Sequence, residues 1–206
     1  GLLYANGDYI AYVDSDDYVD ESMFEKMFDK AKKGDFDVVV CDLFYAYEDR
    51  NVPVSSGLTD DVHTQDQKLD SILKIYPAVW NKIYRRELIK NLHFKPYVWF
   101  EDFEFLYRLY PSINSIGVIN ECLIYYRQRQ GSIVHVYDKR LYQYITNFDS
   151  ILEYHRSKGS YDMYQRQLEY LYVRYAFATM VKRLAKSNDP EQFRAGVDFA
   201  CESVKR

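Results

Sequence analysis

Three carboxylates, Asp14, Asp16 and Asp17, crowd together directly behind the apolar run Tyr9-Ile10-Ala11-Tyr12-Val13. Acids this close repel one another unless protons or a cation relieve them. Oxygen-rich clusters of this kind suit Mg2+ or Mn2+ shared with phosphate oxygens. Acids ahead of a helix are also favoured as caps and by the helix dipole. Residue types alone therefore leave a cation site and a capping cluster both open. A calcium-binding loop is excluded. Starting at Asp14, it would need an oxygen ligand where Tyr18 stands and a glycine where Val19 stands.

The elements that must hold these acids follow from periodicity. Tyr9 to Val13 reads as a buried strand. From Asp20 the period changes, and Met23, Phe24, Met27, Phe28 and Ala31 mark one helical face. Asp20 is the expected N-cap and Gly34 the far end. Phe36 to Val40 reads as a second strand, which makes a βαβ unit and predicts a parallel α/β sheet. Ligands of such sheets bind where a strand ends and a helix begins, and the three acids stand at that point. Residues 48–65 are polar and carry Pro53 and Gly57, the pattern of a mobile loop. Ile72 to Ile75 is expected to end a short helix at Pro77, another is expected at Arg85–Lys90, and a third at Phe100–Tyr110 with Phe103, Leu106, Tyr107 and Tyr110 facing inward. Ser115–Ile119 and Cys122–Arg127 read as two strands, and from Tyr137 the pattern is helical. The expected division is a core at 1–136 and a helical region at 137–206.

Composition narrows the function classes. Of 206 residues, 48% are hydrophobic and 28% charged, which excludes a disordered, collagenous or rod-like chain. A net charge of −4 argues against general affinity for nucleic acid. No apolar run exceeds five residues, against the ~18 that suggest a membrane span. Cys41, Cys122 and Cys201 form no disulfide or zinc pattern, so a cytoplasmic location, at most at the inner face of the membrane, is expected. The 22 Tyr and 12 Phe suit polar-rimmed pockets as well as helix packing.

The segment from Gly7 to Val19, Gly-Asp-Tyr-Ile-Ala-Tyr-Val-Asp-Ser-Asp-Asp-Tyr-Val, resembles the central signature of family 2 glycosyltransferases, inverting enzymes of the GT-A fold. Later stretches match in order. Val79 to Leu88 resembles the WNK-Y-R-EL stretch, Phe100-Glu101-Asp102 the ED motif, and Tyr125-Tyr126-Arg127 with Gly131-Ser132-Ile133 the strand end that follows. A haloacid-dehalogenase-type phosphatase also sets DxD after an apolar strand, but it carries a hydroxyl residue where Tyr18 stands.

The resemblance implies an α/β, GT-A-like core with a C-terminal helical appendage, and a metal-dependent transferase acting on a nucleotide-sugar, a UDP-sugar, with a saccharide or lipid-linked acceptor. Asp14 would face the ribose or the metal, and Asp16 would ligate Mn2+ or Mg2+, with His135 as a further candidate ligand. Asp17 is expected to cap the helix instead. Asp102 would be the catalytic base, with Glu101 orienting substrate or sharing that role. Trp80, Asn81, Lys82, Arg127, Arg129 and Ser132 are the candidate nucleotide-sugar contacts. The family begins with a strand, a helix and a strand that hold the base, and Gly1 aligns just before the DxD strand. The chain is therefore expected to lack that part, to hold nucleotide weakly, and to self-associate into a homo-oligomer through the edge beside Tyr9–Val13. The competing class is a non-catalytic module that binds carbohydrate or protein with the same surface.

Overall fold

The computed structural model describes residues 2–129 and 137–205. The chain forms two compact units, one of Gly1–His93 with Leu109–Arg129, the other of Phe94–Arg108 with the chain after Arg129. A single cut at residue 136 does not describe this division, because the segment bearing Glu101 and Asp102 belongs with the helices.

The first unit is a six-stranded sheet. Its strands are β1 (Tyr9–Ala11), β2 (Tyr18–Val19), β3 (Val38–Ala46), β4 (Asn51–Val54), β5 (Lys82–Arg85) and β6 (Ile116–Arg127), in the order β1-β5-β3-β6-β2 with β4 on β3. Among the described residues three α-helices accompany them, α1 (Met23–Gly34), α2 (Gln65–Lys74) and α3 (Arg86–Ile89). β1 and β3 run in the same direction, as a βαβ unit requires, but β5 lies between them antiparallel to both. Among the described residues only β3 and β6 pair in parallel. The sheet is thus mixed, which corrects the expectation of a parallel one. The local period identifies a strand but not the neighbour that it pairs with.

Two further differences have local causes. Residues 48–65 do not form one loop. The Tyr47 amide donates to the Arg50 carbonyl at 2.9 Å and closes a hairpin, with β4 paired to β3 from Asn51 to Val54. Pro53 is compatible with this short strand at the sheet margin, where a missing N–H costs little. The two strands expected around residue 120 are one, β6, which crosses that point through register shifts opposite Cys41, Asp42 and Leu43. Such bulges bend a strand without ending it.

α1 packs through Met23, Met27 and Ala31, all fully buried against Phe36, Val39, Leu43, Trp80 and Ile124. Phe24 and Phe28, expected on the same face, are about two-fifths exposed. Phe28 meets Tyr9 edge-on, and the Lys32 ammonium lies over its ring. The Asp20 carboxylate accepts from the amide and hydroxyl of Ser22, fixing the entry to the helix.

The second unit contains α4 (Glu101–Leu109), α5 (Gln143–Ser157), α6 (Tyr161–Val173), a π-helical stretch (Arg174–Val181), α7 (Lys182–Leu184) and α8 (Pro190–Val204). Leu109 itself falls in the first unit. Phe103, Leu106 and Tyr107 of α4 are buried as expected, as are Ile145, Phe148 and Ile151 of α5. Among the described residues no helix is long and apolar enough to cross a membrane.

Candidate active site

The acidic turn joins β1 to β2. The Asp17 amide donates to the Asp14 carbonyl at 3.1 Å, which folds the chain back and turns the acids together. Asp14, Asp16 and Asp17 each bring a carboxylate oxygen to within 4.8 Å of the others. Asp14 and Asp16 are exposed, whereas Asp17 is half-buried. Asp17 is not a helix cap, because α1 begins only at Met23. One of its oxygens accepts from the Arg127 amide at 2.9 Å, and the other is buried without a hydrogen-bond partner. Burial, with the charges of Asp16 and Asp14 added, pushes the Asp17 carboxyl up to about 6, against the opposing pull of the Arg127 amide and charge. An uncompensated buried oxygen amid two like charges is the environment that a cation relieves. This donor set fits a hard divalent ion.

Two arginines border the turn. Arg127 ends β6, and its guanidinium lies 5.2 Å over the Tyr18 ring. That ring stacks on Tyr125 at 4.5 Å, and Tyr125 stacks on Phe44 at 5.0 Å. Arg129 donates to the Asp16 carbonyl at 3.3 Å. Both side chains are exposed, so their charge faces solvent next to the acids.

Trp80, Asn81 and Lys82 lie elsewhere, in the interior. Trp80 is 4% exposed and packs against Tyr126 and Tyr76. Asn81 has no exposed surface, and its side-chain amide donates to the Cys41 carbonyl at 2.8 Å. Lys82 is equally enclosed. Its ammonium donates to the carbonyls of Tyr76 and Ala78 and to Asn81 Oδ1, at 2.7, 2.6 and 2.7 Å. Here the three residues brace the sheet and the loop before β5 rather than reach a ligand. The signal that misleads is residue type, since polar side chains are read as surface unless their partners are visible. Lys82→Met is expected to cost about 3 kcal/mol, because three acceptors lose a charged donor at once. A urea-unfolding midpoint corresponding to less than about 1 kcal/mol would contradict this bracing role.

Glu101 and Asp102 open α4, Glu101 exposed and Asp102 partly buried. The residue before them, Phe100, has φ +62°, as Tyr97 has +60°. A left-handed phenylalanine is costly and is found where surrounding contacts enforce it. Ser132 and His135 lie outside the described residues.

Comparison with known proteins finds relatives of this chain. Residues 1–93 match glycosyl transferase family 2. Glycosyltransferase GlyG of Streptococcus pneumoniae is 30% identical over 146 residues, covering 65% of this chain and 48% of its own. The putative glycosyltransferase EpsH of Bacillus subtilis is 26% identical over 205 residues, covering 94% and 59%. The chain thus spans about half the length of the curated relatives it matches. Among solved structures, S. aureus TarS in complex with UDP-GlcNAc superposes with a TM-score of 0.57 at 18% identity, over 99% of this chain and 67% of that one. That likeness establishes the GT-A-like fold. The match of residues 1–93 to glycosyl transferase family 2 takes in the signature run and the acidic turn in which it ends.

Proposed function

We propose that this chain carries the donor-binding turn and the base of a glycosyltransferase that moves a sugar, with inversion, from a UDP-sugar to an acceptor hydroxyl. The acceptor is a saccharide or a lipid-linked saccharide of a surface polysaccharide. The observation that carries this reading is the convergence of Asp14, Asp16 and Asp17 around a buried, unpartnered oxygen, in a family 2 chain. The fold's likeness to a protein solved with UDP-GlcNAc supports the donor class.

Asp16 and Asp17 would hold a divalent cation, and Asp14 the cation or the ribose. When bound, the cation neutralises charge that develops on the departing diphosphate. Arg127 and Arg129 add fixed positive charge that an anionic leaving group can meet. Asp102 takes the proton of the acceptor hydroxyl as its oxygen bonds to the anomeric carbon and the bond to the diphosphate oxygen breaks. One displacement inverts that carbon. Glu101 orients the acceptor.

The test is calorimetric titration of the intact protein with UDP-sugars, with Mn2+ and with a chelator. Affinity at least tenfold higher with Mn2+ is expected. Equal affinity in both conditions would overturn the metal-dependent reading and favour a non-catalytic binding module.

A further inference from the structure

The helices after residue 137 carry no motif, yet one of them is bound by polar contacts to the turn before the acidic pair and to the helix that the pair opens. On α5, Asn147 is fully buried, and its side-chain amide donates to the carbonyls of Trp99 at 2.7 Å and Phe100 at 3.4 Å. One turn earlier, Gln143 accepts from the Trp99 amide. One turn later, the Ser150 hydroxyl donates to Glu104 at 3.0 Å, and Glu104 is ion-paired with Arg108. Further along, His155 Nε2 lies 3.1 Å from the Tyr107 carbonyl, and Nδ1 lies 3.0 Å from the Ser160 hydroxyl. A carbonyl only accepts, so Nε2 carries the hydrogen and Nδ1 accepts. α5 therefore grips the turn before α4 and then α4 itself, contact by contact, within one compact unit.

Rings complete the hold. Phe100 stacks on Tyr144 at 3.8 Å with planes 9° apart, and Arg183 lies 5.5 Å from the Phe100 ring centre while donating to the Tyr144 hydroxyl at 3.0 Å. Arg140 lies 4.3 Å over Trp99. Apolar packing alone tolerates small slides of one helix along another. Buried directional pairs do not, and their best-attested use is to fix register.

We propose that α5 is a positioning element for the ED pair, with Asn147 as its key positioning residue: it holds Trp99-Phe100 in the left-handed turn that sets where Glu101 and Asp102 point. The proposal rests on the reading of Asp102 as base. It gives the motif-free helices a part in the reaction without contact with substrate.

The experiment compares Asn147→Leu, Gln143→Leu and Ile151→Ala in the intact protein. Ile151→Ala, a core truncation on the same helix, lowers stability without touching the turn. Amide hydrogen exchange across Glu104–Leu106 is expected to accelerate at least tenfold in Asn147→Leu and in the milder Gln143→Leu, but not in Ile151→Ala. Turnover of UDP-sugar should fall at least tenfold in Asn147→Leu, with nucleotide affinity within twofold of wild type. Unchanged exchange, unchanged turnover, or equal effects in Ile151→Ala would each overturn the proposal. Exchange reads the segment without catalysis, so failure of the base assignment itself is seen separately, as full turnover in Asp102→Asn.

Discussion

Asp102→Asn is expected to cut sugar transfer by about 10²- to 10⁴-fold, the range for losing a positioned general base. Asparagine keeps the size of the side chain and its hydrogen-bonding reach but cannot take a proton at working pH. Asp102 is partly buried in the first turn of α4, among the three acids of that turn. There the helix dipole favours a carboxylate by about 0.3–1 kcal/mol, a contribution small beside the loss of rate. Nucleotide affinity should stay within twofold, since proton removal is the only step touched. Steady-state kinetics paired with UDP titration separates the cases. Equal loss of affinity and turnover would assign Asp102 a structural part in the turn.

The acidic turn was legible in the chain because its signals are local. A strand-forming run stops at three acids, and a helical period starts six residues later, at Met23. The identity of the ligating acids was less legible. Asp17 reads as a cap by sequence position, but its partner is the amide of Arg127, a residue 110 positions away. Contacts at that separation leave no mark on local pattern. The same holds for β5, which enters between β1 and β3 from a distant part of the chain. Lys82 is hidden differently, since three acceptors lie within six residues but only the curl of the loop brings them to its ammonium. Asn147 is the sharpest case. A single polar residue on an amphipathic helix carries no motif, and only its two carbonyl partners give it a role.

Asp16→Asn should remove the Mn2+-dependent gain in UDP affinity and leave the fold intact. The side chain is exposed, so no buried charge is stranded when it is neutralised. Its carbonyl, not its carboxylate, accepts from Arg129, so that tie survives the change. The substitution also relieves repulsion within a cluster whose oxygens lie within 4.8 Å of one another. Thermal stability should therefore be unchanged or slightly raised, which is the opposite of what loss of a structural ion pair would do. Cation affinity moves the other way, because a neutral amide is a far poorer ligand for a hard divalent ion than a carboxylate. A loss of at least tenfold in Mn2+-supported UDP binding is expected, about 1.4 kcal/mol. Ser15→Ala, in the same turn but without a carboxylate, serves as the control and should bind as wild type. Calorimetry that finds equal Mn2+ affinity in Asp16→Asn and wild type would exclude the acidic turn as the cation site, whatever the fate of Asp102.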